Sequence, residues 1–280
     1  MLEVLTAADL NDAHFEEIAD FFRLIFNNFW PEYVVCVPCD AKLEGGMRRS
    51  ALEVFGESEA PVSLDVMDDV DALPRCPTCG AEMQVFHDRD TVLKSTRRKL
   101  EQHGQVALLR DEVSGAVAGF TFGYGCTLWE LFYNEWRNPY HYMADPPSEQ
   151  DRSFEVLARR LNETFPEDHF ERDTRVFGWN CIATMPMARL NGLKNTGLLL
   201  GGLFQSPAVL AGGEYVIGEV QVGSTSHALF GMLGGIDVPG VIGEANTVVA
   251  AKPEAIPRDF GRFFRDVIRQ SLGDRRRKVN

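Results

Sequence analysis

The chain has 280 residues, room for one large domain or two smaller ones around a buried core. Apolar residues make up 45% and charged residues 25%, which excludes a disordered chain, and no run of about 18 apolar residues predicts a membrane span. A net charge of −13 argues against whole-surface attraction to nucleic acid or anionic membrane, and the acidic opening lacks the pattern of a secretory signal; a cytoplasmic, soluble protein is expected.

In chain order, Leu2 to Leu5 predicts a short strand, and Asn11 or Asp12 caps the helix that follows. Phe15, Ile18, Phe22, Ile25, Phe26 and Phe29 share one stripe of that helix, which ends at Pro31. Two cysteine pairs come next, Cys36-Val37-Pro38-Cys39 and Cys76-Pro77-Thr78-Cys79-Gly80. Each suits a tight turn whose two thiolates reach one tetrahedral Zn²⁺ at about 2.3 Å. Pro77 and Gly80 are turn formers, and glycine tolerates positive φ after the second ligand. Disulfides compete with this reading but sit poorly with the absent export signal. A thioredoxin-like redox pair would explain one motif, not two. The two knuckles resemble a zinc ribbon over about residues 34 to 83. A four-thiolate site is closed, so the metal is read as structural. Between the knuckles, Glu53, Glu57, Glu59, Asp65, Asp68, Asp69 and Asp71 follow one another without a base. Cys126 and Cys181, in apolar strand-like surroundings, are read as small core residues.

A polar helix is predicted from about Thr91 to Gln102. Residues 105–111 and 116–125 form the clearest strand pair, joined by Glu112–Gly115, and Gly119 marks a bulge or a close backbone approach. From Thr127 to Thr174 the chain is aromatic and irregular, with a helix from about Glu149 to Phe165. Residues 175–185 read as a buried strand, and a Gly/Asn loop then leads to a small-residue helix from Thr196. A strand over 215–222, a short helix over 226–233 and a last strand over 246–251 follow. Phe260, Phe263, Phe264, Val267, Ile268 and Leu272 predict an amphipathic C-terminal helix, a candidate homodimer surface. From Arg258 onward eight basic and three acidic residues give a local +5, so the remainder carries −18.

This order, with one loop, resembles the GNAT N-acetyltransferase superfamily. Pro186-Met187-Ala188-Arg189-Leu190-Asn191-Gly192 is similar to the end of that family's fourth strand and its pyrophosphate loop, matching at Pro186, Arg189 and Gly192. A glycine-containing turn before a helix points backbone N–H groups and the positive end of the dipole at phosphate. Lys194 stands where a small residue is expected, and Asn195, Thr196 and Gly197 lengthen the loop. The resemblance implies an α/β mixed central sheet with flanking helices, formed by residues 1–34 and 84–255. Residues 35–83 would be the zinc-ribbon insertion, and 256–280 the C-terminal helix and basic tail. It also implies acetyl-CoA or another acyl-CoA as cofactor, gripped by the backbone of Thr184 and Met185 and by Arg189, Asn191, Gly192, Lys194, Asn195, Thr196 and Gly197.

Ser226-x-x-Leu229-Phe230-x-x-x-Gly234 is similar to the family's late helix, where Tyr often stands in place of Phe230 as the acid. A Glu base is often found near the position of Asn180. Neither residue here titrates. Glu171, Asp173 and Glu219 are candidate substitutes, with His227 and Tyr215 near the fifth core strand. Trp129, Tyr133, Trp136, Tyr140 and Tyr142 either wall the pocket for a small-molecule or protein amine acceptor or cover the sheet as core. Two functions stay open: a CoA-dependent N-acyltransferase, and a non-catalytic binding or regulatory module.

Overall fold

Alternating apolar strands assemble into one seven-stranded sheet in the computed structural model, which describes residues 1–40, 47–56, 60–137, 147–186, 189–206, 209, 215–242, 246–257 and 262–263. In chain order the elements are β1 (Leu2–Thr6), α1 (Asp12–Phe29), β2 (Val34–Val35), α2 (Val37–Asp40), β3 (Arg48–Arg49), α3 (Ala51–Phe55), α4 (Leu64–Asp68), β4 (Gln84–Val85) and α5 (Arg89–His103). Then come β5 (Gly104–Arg110), β6 (Val117–Thr127), α6 (Leu128–Leu131), a π-helix (Phe132–Arg137), α7 (Pro147–Thr164) and β7 (Arg175–Thr184). The rest are α8 (Arg189–Phe204), β8 (Tyr215–Gln221), α9 (Thr225–Met232), β9 (Ile236–Val238), β10 (Asn246–Ala251) and a 3₁₀ turn (Pro253–Ala255). The chain divides into two compact units, residues 10–98 and residues 1–9 with 99–280.

In the larger unit the strand order is β1-β5-β6-β7-β8-β10-β9. Every pair is antiparallel except β7 with β8. A parallel pair needs a crossover, and α8 supplies it, packing on β1, β5, β6 and β7. This mixed sheet with helices is the architecture that the GNAT resemblance implies. Side-chain alternation divides its core. Phe177, Trp179, Val216, Val220, Val249 and Ala251 meet the leucines of α8 and the apolar side of α9. Val176, Tyr215, Ile217, Val248 and Ala250 meet α6, the π-helix and α7 on the other face. Gly119 shows both predicted features. A Cβ there would lie 3.0 Å from the Ala183 carbonyl oxygen, and the register with β5 shifts beside it.

The smaller unit has a three-stranded sheet, β3-β2-β4, whose strands are two residues each. Asn11 caps α1 by accepting from the His14 N–H, as the sequence predicts. The helix buries Phe15, Ile18, Phe21 and Ile25, while Phe29 is exposed, so the buried face is turned from the predicted stripe. Arg23 causes part of that turn. It is 1% exposed, donates to the His87 carbonyl at 3.1 Å and grips both oxygens of Asp68. Asn27 is fully buried, and neither side-chain polar atom has a hydrogen-bond partner among the described residues. Asn27→Leu is therefore expected to stabilise the protein by about 1–2 kcal/mol in urea unfolding, because an unsatisfied amide leaves the core. Destabilisation by that replacement would show that the amide has a partner.

Sequence and structure do not coincide at three places. α8 begins at Arg189, not at Thr196, because Leu190, Leu193 and Lys194 are good helix formers and each residue added to a formed helix gains a bond. β9 was not predicted; three residues, two of them exposed, leave no alternation to read. The predicted C-terminal helix, and with it the homodimer surface, lies outside the described residues apart from 262–263, where Phe263 packs on the α8 face of the core. Among the described residues, no helix is long and apolar enough to cross a membrane.

Candidate functional site

The cysteine knuckles converge. The sulfurs of Cys36, Cys39, Cys76 and Cys79 lie within 4.8 Å of one another, with Cys36 to Cys79 at 3.5 Å and Cys39 to Cys76 at 3.8 Å. A tetrahedron of thiolates about 2.3 Å from a central Zn²⁺ has edges of about 3.8 Å, so the cluster has the right size for one ion. Local backbone explains the convergence. Cys39 N–H donates to the Cys36 carbonyl at 3.1 Å, and Gly80 N–H to the Cys76 carbonyl at 2.8 Å. Gly80 takes φ of 72°, which glycine adopts without penalty. Backbone N–H groups of Cys79 and Thr78 favour the Cys76 thiolate, bringing its pKa down to about 6. The neighbouring Cys79 thiol, together with burial, pushes Cys39 up to about 12. Cys36, Cys39 and Cys76 are buried and Cys79 is exposed.

In the larger unit the sheet opens between its parallel strands. The β7–β8 ladder runs from Val176–Tyr215 to Trp179–Gly218 and stops, although β7 continues to Thr184 and β8 to Gln221. The cause lies on the other edge of β7. Phe122 pairs with Cys181 and Gly123 with Trp179, so Asn180 is the extra residue of a β-bulge. A bulge bends and twists its strand, and here it does so where β8 parts from β7. Beyond it, Met185 N–H donates to the Ala118 carbonyl at 3.1 Å, on the β6 side. By strand alternation Thr184 presents its backbone to the opposite, open side.

A small cavity of about 50 Å³ lies at the opening, lined by Leu131, Glu135, Trp136, Trp179, Asn180, Gly218 and Glu219. Glu135 was not foreseen. It comes from the π-helix, whose wider turn re-aims side chains and is frequent at functional sites. Its side chain is 12% exposed and its carboxylate accepts three hydrogen bonds. Lys99 Nζ donates to Oε2 at 2.8 Å, Asn180 Nδ2 to Oε2 at 2.5 Å, and Tyr124 OH to Oε1 at 2.5 Å. Glu219 reaches the same cavity from β8 and accepts from Asn246 Nδ2 at 2.6 Å. The Trp136 indole N–H is buried without a partner among the described residues.

The other candidates are scattered. Glu171 and Asp173 are exposed, in a groove of about 760 Å³ beside α7 that precedes the start of β7. Asp173 is seven residues before Asn180, roughly 20 Å along an extended chain. Of the three predicted acids, only Glu219 reaches the opening. Trp129 lies under Arg172 at 4.1 Å and against Phe154 at 5.2 Å, packed on the α7 core, with Tyr133 stacked on it at 6.5 Å. Of the predicted aromatic wall, Trp136 lines the cavity, and Tyr140 and Tyr142 lie outside the described residues. His227 is held by Asp237 at 2.9 Å and Tyr215 is buried in the core. Phe230 is 1% exposed and stacks on Trp179, ring centroids 5.4 Å apart.

With α8 starting at Arg189, the backbone N–H groups of residues 189–192 are the ones a helix leaves without intrahelical partners. Lys194, Asn195, Thr196 and Gly197 lie further in, where the backbone N–H is used by the helix itself. Lys194 is exposed, Asn195 and Thr196 are half-buried and Gly197 is buried.

No protein-family model matches the sequence, and no curated protein matches it significantly. Several solved structures align with the chain at low identity. A mosquito arylalkylamine N-acetyltransferase, like 5b, aligns over 90% of this chain and 100% of its own at 12% identity, TM-score 0.45. An agmatine N-acetyltransferase variant in its apo form aligns over 89% and 97% at 12% identity, TM-score 0.41. A protein from Pyrococcus horikoshii OT3 aligns over 90% and 98% at 10% identity, TM-score 0.38.

Proposed function

We propose that the chain is a CoA-dependent N-acyltransferase, moving an acetyl group from acetyl-CoA to an amine. The observation that carries this reading is the parting of β7 from β8 at the Asn180 bulge, next to a cavity with buried polar groups. A strand edge freed in this way offers the Thr184 backbone to the amides of a pantetheine arm. The N–H groups of residues 189–192, which a helix leaves without intrahelical partners, suit a pyrophosphate, and the resemblance adds a contact from Arg189. When bound, acetyl-CoA supplies the activated acyl group. The protein's own residues orient the amine and exclude water, so proximity does most of the work. The four-cysteine cluster holds one structural Zn²⁺, supported by the size of the cluster and its all-thiol donor set.

Acetyl-CoA at a hundred times its Kd is expected to stabilise the protein by about 2.7 kcal/mol, visible as a higher Tm. Arg189→Ala should weaken its binding by about 1–3 kcal/mol, the size of a charge-assisted phosphate contact. An unchanged melting curve with saturating acetyl-CoA would overturn the reading. A non-catalytic binding module is the second reading, favoured by Phe230, which fills with a buried ring the place where the resemblance expects an acid. CoA release in the presence of an amine panel separates the two.

A further inference from the structure

The four clustered cysteines are unequally sheltered. Cys36, Cys39 and Cys76 are 0%, 5% and 2% exposed, whereas Cys79 is exposed. The second knuckle makes the difference. Pro77, Thr78, Cys79 and Gly80 form an exposed tip, turned by the bond from the Gly80 N–H to the Cys76 carbonyl. The first knuckle exposes Val37 and Pro38 and keeps both of its sulfurs inside. Across the gap between the knuckles, the Cys79 sulfur lies 3.5 Å from that of Cys36. A disulfide needs about 2.05 Å, so about 1.5 Å of movement separates the two from a bond. A metal-bound cysteine is a thiolate, and oxidation follows thiolate character and access together. In the cluster, Cys79 combines both. Outside it, Cys126 is half-buried on β6, where desolvation pushes its thiol up and holds it protonated.

We infer that Cys79 is a site of reversible oxidation by a hydroperoxide, and that Cys36 resolves it into a disulfide linking the two knuckles. The Cys79 sulfur attacks the peroxide O–O bond, keeps one oxygen as sulfenic acid and releases the other as water or an alcohol. The Cys36 sulfur then attacks the Cys79 sulfur, the S–S bond forms, and the oxygen leaves as water. Two thiols lose two electrons and the peroxide gains them. The link takes two of the four donors from the metal, and two remaining thiolates do not make a closed structural site. Loss of the ion follows. That last step rests on the zinc reading; the choice of cysteine and of its partner stands on exposure and distance.

Hydrogen peroxide treatment of the full chain, followed by N-ethylmaleimide, trypsin and peptide mass spectrometry, tests this. Trypsin cuts after Lys42, Arg48, Arg49 and Arg75, so a link between the knuckles joins two peptides and a link within one knuckle does not. At low conversion the expected product is Cys36 joined to Cys79, reversed by dithiothreitol. About one Zn²⁺ per link should appear in a colorimetric chelator. Untreated native protein, exposed briefly to limiting N-ethylmaleimide, should carry the label on Cys79 about tenfold more often than on Cys36, Cys39 or Cys76. A first link within one knuckle, or between Cys39 and Cys76, would overturn the inference. So would four thiols left free by peroxide, or equal labelling of all four. Metal retained by the linked protein would overturn the release step. A chain that carries no metal before treatment, yet forms the Cys36–Cys79 link, would count against the zinc reading alone.

Discussion

Stripping the proposed Zn²⁺ from the four-cysteine cluster is expected to unfold the chain around it, residues 33–85. The compact unit that holds these residues also has α1, which buries Phe15, Ile18, Phe21 and Ile25; the region of the cysteines has little else of comparable weight. Its three strands contribute two residues each, and its cluster of buried residues is short, with Tyr33, Val34, Ala51, Val62, Met67 and Met83 packed around three of the cysteines themselves. Structural Zn²⁺ contributes about 10–16 kcal/mol of apparent binding free energy in small peptide sites near neutral pH, as much as the whole stability of an ordinary domain. Protein purified without added zinc should carry about one equivalent per chain. Cys76→Ser, or a strong chelator, should remove it and abolish amide protection across residues 33–85, while α1 keeps part of its own. Acid should act in the same direction, because thiols must lose their protons to bind the metal. Metal content below a tenth of an equivalent, with the thiols intact, would sink the assignment.

The parts of this molecule that could be read in its sequence are those that repeat with a fixed period or spacing. Val216 and Ile217, or Val248 and Val249, alternate between two cores because a strand alternates, and the predicted strands lie where the apolar runs are. The cysteine pairs converge because each Cys-x-x-Cys turn is local. The cleft was less legible for physical reasons. Asn180 becomes the extra residue of a bulge through the register of β6 against β7, a property of two strands that neither segment announces alone. Glu135 stands among Phe132, Tyr133 and Trp136, where a lone acid reads as the exposed side of an ordinary helix. The π-helical turn instead leaves its side chain 12% exposed beside a lysine 36 positions earlier in the chain. The start of α8 is hidden because Gly192 and Asn195 suggest a loop, and the leucines around them outweigh that suggestion.

The Lys99–Glu135 pair should then behave as a unit in stability measurements. Both side chains are nearly out of solvent, 8% and 12% exposed, and their nitrogen and oxygen lie 2.8 Å apart. Removing either charge strands the other in a poorly solvated place, at a cost of about 3–5 kcal/mol in comparable buried pairs. Lys99→Met alone should therefore lower unfolding free energy in urea by several kcal/mol near neutral pH. Glu135→Gln alone should cost a similar amount, since Lys99 loses its counter-charge although the neutral amide can still accept hydrogen bonds from Tyr124 and Asn180. The double variant removes both charges, and most of the loss should return, giving a coupling energy of about 2 kcal/mol or more. Additive losses would mean that water or another group already solvates each charge. In that case the carboxylate would not depend on Lys99 for its charge. Strong coupling, by contrast, would show a carboxylate held ionised by its neighbour beneath the cleft, at a place where a fold stabilised by hydrophobic burial alone has no need of one.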